Sequence, residues 1–121
     1  MKATRWMSGF GLACGLFAFA SAARADTQVT GTVQSMMSVG GLGAAPGNGD
    51  LRVWLTGLPT ICPGATDPTW AYINSNDPNF KGVLATISQA YAMGKSLTVD
   101  SRLSALGGGN YCQIVWVQIS G

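Results

Sequence analysis

The chain contains no histidine and no glutamate. Nucleophilic catalysis needs a base within reach of the nucleophile, and the commonest base is missing. A zinc set cannot be assembled from the ligands that remain, so neither a metal nor a cofactor is expected. Charge is also scarce, at 10% of residues, and its formal excess of +2 is misleading. Lys2, Arg5 and Arg24 all fall within residues 1–25, which read as a removable leader. Beyond it, Arg52, Lys81, Lys95 and Arg102 stand against Asp26, Asp50, Asp67, Asp77 and Asp100, four cations to five anions. That balance leaves no electrostatic footprint for nucleic acid and no basic run for an anionic membrane.

The leader has the three parts of an export signal. Lys2 and Arg5 form a charged start, Trp6 to Ala20 a short apolar run, and Ala23-Arg24-Ala25 a small-x-small cleavage site before Asp26. The apolar run is short for a membrane span. Cys14 raises the alternative of a lipid anchor. The preceding Gly11-Leu12-Ala13 sets the aliphatic residue one place out of register, which favours a product without one. The expected location is periplasmic or extracellular, with no membrane insertion after cleavage.

Residues 26–121 suffice for one small domain, whose modest core would benefit from a covalent staple. Outside the leader the cysteines are Cys62 and Cys112. An even pair in an oxidising compartment reads as one disulfide, with two separate buried thiols as the alternative. The bond would close a loop of about 50 residues, worth roughly 4 kcal/mol of unfolded-chain entropy.

Residues 27–37 alternate as a strand, with Val29, Gly31, Val33, Ser35 and Met37 on one face and Gly31 as a candidate bend. Glycine and proline make 40–50 a loop, with Asn48-Gly49 a hairpin-type turn. Residues 51–56 alternate again, with Leu51, Val53 and Leu55 inward and Arg52 and Trp54 outward. A connection rich in proline and glycine over 57–69 carries Cys62, and 70–73 is a short third strand. The spacing then predicts a helix over 78–93, capped by Asp77, opened by Pro78 and stopped by Gly94. Its apolar stripe is Phe80, Val83, Leu84, Ile87, Ala90 and Tyr91. Strands at 96–103 and 111–119 flank Gly107-Gly108-Gly109, and the last is apolar on both faces, as a doubly covered strand would be.

Little of the candidate chemistry survives. A Ser–Lys pair would need Lys81 or Lys95, which read as solvated residues at helix ends. Two aspartates could serve as acid and base, but all five read as loop, cap or turn residues. Gly94-Lys95-Ser96 echoes the end of a phosphate loop, yet Gln89 stands where its first glycine belongs and a helix ends there. The glycine run over 40–49 holds no dinucleotide fingerprint. The reading is therefore not an enzyme. The aromatics Trp54, Trp70, Tyr72, Tyr111 and Trp116 remain, as core residues or as flat faces for a sugar or a protein partner. Trp54 is the first choice for an exposed ring, and Arg52 on the same face could pair with a carboxylate such as that of sialic acid.

Strand, strand, strand, helix, strand, strand is the layout of a β-rich α+β domain: a small five-stranded OB-like barrel with its helix between strands 3 and 4. An open sheet with one helix across it is the alternative. Cys62 through Trp70, Asn79-Phe80-Lys81, Ala90 through Val99 and Cys112 resemble small exported bacterial proteins similar to the B subunit of subtilase cytotoxin. The matching features are a cysteine before the helix and a helix end of the form A-x-x-x-G-K/Q-x-[VL] leading into a strand. The resemblance implies an OB fold and, as in the toxin members, a pentameric homo-oligomeric ring and glycan binding. It supplies no sugar-contacting residue, and the first half of this chain is shorter and richer in glycine. The sequence thus points to an exported binding domain with a glycan partner. A structural or interaction protein without a small ligand, such as an assembly subunit or inhibitor, is the alternative.

Overall fold

The computed structural model describes residues 26–40 and 51–120. The expected export signal with Cys14, and the expected Asn48-Gly49 turn, fall outside the described residues. Within them are five strands, β1 (Thr27–Ser38), β2 (Leu51–Leu55), β3 (Trp70–Ile73), β4 (Ser96–Leu106) and β5 (Gly109–Ser120), and one helix, α1 (Phe80–Met93), between β3 and β4.

The strands close into a barrel in the order β1-β2-β3-β5-β4. All neighbours run antiparallel except β3 and β5, which are parallel. Closure excludes the open sheet. β1 achieves it by changing partner midway: Thr27 to Thr32 pair with β4, and Val33 to Ser38 with β2.

Two bulges correct the simple alternation. On β1 the register passes from Val33↔Leu55 to Ser35↔Trp54, so Gln34 is the extra residue. An added residue moves every later side chain to the other face. Met36 therefore packs on the core with Val33, while Met37, expected beside Val33, is 47% exposed. The break falls at Gln34, and the ladder runs unbroken through Gly31↔Leu97. On β5 the register passes from Ser101↔Ile114 to Asp100↔Trp116, leaving Val115 extra. Cys112 and Ile114 face inward before the bulge, and Val117 and Ile119 pack on the core after it. The strand is apolar on both alternating sets because its inner face changes, not because both faces are covered.

The helix begins later than the caps predict. Asn79 occupies the N-cap position without a side-chain cap bond. Asp77 instead accepts from the Asn79 N–H at 2.8 Å, and its carbonyl accepts from the Phe80 N–H at 3.0 Å. An aspartate bonded two residues ahead makes a turn of its own, which delays the helix. At the other end Gly94 adopts φ +66°, and the Lys95 N–H reaches the Ala90 carbonyl at 3.0 Å, closing the helix as glycine allows.

Val83, Ile87 and Ala90 are buried in the same cluster as Leu51, Val53, Leu55, Leu97 and Val99, with Phe80 and Leu84 packed at its margin. The helix thus lays its buried stripe against the barrel core, chiefly from the β1 and β5 side. Tyr91, in the last turn of the helix, is 50% exposed, contrary to its expected burial.

Cys62 and Cys112 are bonded, with Sγ atoms 2.04 Å and Cα atoms 5.8 Å apart. Both are buried, as is Ile61, so Ile61 and Cys62 anchor the otherwise largely exposed β2–β3 connection in the core.

Candidate functional site

Leu51, Val53 and Leu55 are fully buried, which sends Arg52 and Trp54 to the outside of the barrel, partly buried. The register then adds what spacing alone does not reveal. Trp54 lies opposite Trp70 and Arg52 opposite Tyr72. Directly opposed residues share a face, so all four belong to one outer surface of β2 and β3. The parallel pairing Ala71↔Cys112 brings Tyr111 and Gln113 of β5 beside them.

Trp70 is the hub of this layer. Tyr111 stacks on it at 5.0 Å with the rings 18° from parallel. Trp54 and Tyr72 each approach to 6.3 Å, one tilted and one edge-on. The Arg52 guanidinium carbon sits 4.4 Å from the Trp70 ring centroid, a cation–π contact. Trp70 and Tyr72 are 5% and 1% exposed, so the accessible members are Trp54, Arg52 and Tyr111. The two residues singled out by strand alternation, Trp54 and Arg52, are thus brought together through a third that alternation did not select.

Beside Trp54 lies a groove of about 330 Å³ lined by Gln34, Ser35, Met36, Met37 and Leu58 with the indole. Two of these positions depend on backbone irregularity. Gln34 is the β1 bulge, and Leu58 has φ +51°, a left-handed conformation costly for a residue with a side chain. Leu58 and Met37 are each 47% exposed at this groove. A flat ring, an amide and a hydroxyl in one shallow groove suit a polar ligand with an apolar face.

The carboxylates serve other places. Asp67 accepts from the Thr69 hydroxyl at 2.6 Å and from its N–H at 3.0 Å, which holds its carboxyl below the ordinary range. Arg102 donates to both oxygens of Asp26, at 2.9 and 3.3 Å, and lowers it likewise. Asp100 corrects the reading of every aspartate as a turn residue: it lies within β4, 2% exposed. Burial raises its carboxyl above the ordinary range, and the neighbouring Asp26 adds to the rise. Neither Asp26 nor Asp100 lines the groove beside Trp54.

Among the described residues, no group of three or more His, Cys, Asp or Glu is placed to hold a metal ion. No described helix is long and apolar enough to cross a membrane. No family model, no curated protein and no solved structure matches the chain.

Proposed function

We propose that the chain is an exported, non-catalytic binding domain of the OB type that takes a glycan on the outer face of β2 and β3. The strand order β1-β2-β3-β5-β4, with the helix between β3 and β4, supports the OB reading. In that fold the face of strands 2 and 3 is a usual place for oligosaccharides and oligonucleotides. Four cations against five anions beyond the leader favour the sugar over the nucleic acid. The disulfide and the leader pattern support an oxidising compartment, the periplasm or the exterior.

The observation that carries the reading is the meeting of Trp54 and Arg52 at Trp70 on this face. The Trp54 ring offers a stacking surface, and Arg52 a positive charge for an acidic sugar. The resemblance to the subtilase cytotoxin B subunit adds the expectation of a homo-oligomeric ring. A second reading rests on Met37 and Leu58, whose exposed apolar side chains flank the same indole and suit a protein interface. It makes the domain an assembly subunit or inhibitor.

A glycan array run with a mass measurement in solution tests both. The sugar reading expects bound glycans, lost in Trp54→Ala without a change of mass. Loss of an oligomer in that variant, or an array on which the parent protein binds nothing, would instead support the assembly reading.

A further inference from the structure

We propose that the groove between α1 and β5 is a second saccharide site, taking an uncharged hexose ring. It measures about 350 Å³, with Asn79, Gly82 and Thr86 on the helix side and Val115 and Trp116 on the strand side. That volume is near the small end of ligand pockets and suits one or two sugar rings. No residue is shared with the groove at Trp54, so this site stands whether or not the β2–β3 face binds.

Two features of the chain make this groove. The Val115 bulge reverses the facing of β5, which turns Trp116 outward at 36% exposure. Without the extra residue, Trp116 would continue the inward set of Cys112 and Ile114. Gly82 supplies the opposite wall. Glycine is the weakest helix former after proline, and it needs a local reason inside a helix. Here the fold supplies none: a Cβ at Gly82 meets nothing within 4 Å, and its φ is not left-handed. What the missing side chain does is leave the groove open across from the indole.

The lining selects the ligand. None of its residues is charged, so an ion would lose water without gaining a partner. The indole face suits the C–H face of a pyranose. The Asn79 side chain makes no cap bond and can serve sugar hydroxyls. The Thr86 hydroxyl donates to the Gly82 carbonyl at 2.9 Å and can still accept.

Indole N–H signals in a proton–nitrogen spectrum of residues 26–121 test the proposal, because Trp54, Trp70 and Trp116 are the tryptophans there. Lactose, N,N′-diacetylchitobiose and N-acetylneuraminic acid are each added at millimolar concentration. The Trp116 signal should move with at least one neutral sugar and stay still with the acid. Gly82→Ala should raise the melting temperature by about 4–8 °C, through helix propensity alone, yet weaken the neutral sugar about tenfold or more. Trp54→Ala should leave the Trp116 response unchanged. A Trp116 signal that ignores both neutral sugars, or that follows the acid equally well, overturns the proposal. So does a Gly82→Ala variant that binds like its parent. Movement confined to Trp54 or Trp70 supports the β2–β3 face and overturns this site.

Discussion

Trp70 and Tyr111 stack at 5.0 Å across the parallel pair of β3 and β5, on the outer side of the same ladder whose inner side holds Cys112. The outer aromatic layer and the disulfide therefore brace one pair of strands from opposite faces. Trp70 also carries Trp54 and Arg52, so its removal undercuts four neighbours at once. Trp70→Ala should cost about 3–5 kcal/mol, as for large buried aromatics. Trp54→Ala, at a partly buried position, should cost less, about 1.5 kcal/mol, the range of a single aromatic pair. Urea unfolding of both variants checks the order. Equal losses would show that Trp54 is structural and not available to a ligand.

The Cys62–Cys112 bond spans 50 residues and should add about 4 kcal/mol through the unfolded chain. Thiol labelling of the non-reduced protein should find neither cysteine. Cys62→Ala with Cys112→Ala should lower the unfolding midpoint accordingly. Because the bond anchors the β2–β3 connection, protease nicking in the double variant should appear first within 57–69.

Burial ranks the helix positions. Ile87 is fully buried among barrel residues, so Ile87→Ala should cost about 2–5 kcal/mol. Leu84, packed at the margin, should cost less, and Tyr91→Ala should stay within about 0.5 kcal/mol as a surface change. A large loss at Tyr91 would show the helix rotated from the face described.

The carboxylates around Arg102 pull stability in opposite directions with pH. Asp26 is lowered in the folded state, chiefly by its bond to Arg102, so its contribution is present above the unfolded carboxylate value and fades as pH falls through the folded one. Asp100 is raised, chiefly by burial, so it opposes folding increasingly as pH climbs through its folded value. Asp100→Asn should therefore stabilise the protein near about pH 7 and make little difference near about pH 3, where the parent carboxyl is protonated. Asp26→Asn should destabilise near neutrality and converge with the parent in acid. Thermal unfolding across that range reads both, and a stabilisation by Asp100→Asn in acid alone would contradict the assigned directions.

Much of the site was legible as residue types and little of it as geometry. The outward setting of Arg52 and Trp54 follows from Leu51, Val53 and Leu55, because a strand alternates faces locally. Their meeting at Trp70 depends on register with β3, and the place of Tyr111 depends on a parallel pairing some forty positions away. The exposed Trp116 was not separable from core residues by pattern, since the bulge that frees it is a property of the β4–β5 ladder.

The sequence by itself determined the strand and helix order, the disulfide pair, the Gly94 stop and the inward set of β2. Each follows from local rules: alternation, helical spacing, the freedom of glycine, and an even cysteine count. Only the tertiary structure decided barrel closure, the two bulges, the exposure of Tyr91, the burial of Asp100 and the aromatic layer around Trp70. These depend on which strand lies beside which, and on one extra residue in a ladder. Both are settled by packing between distant segments, where short-range pattern carries no information.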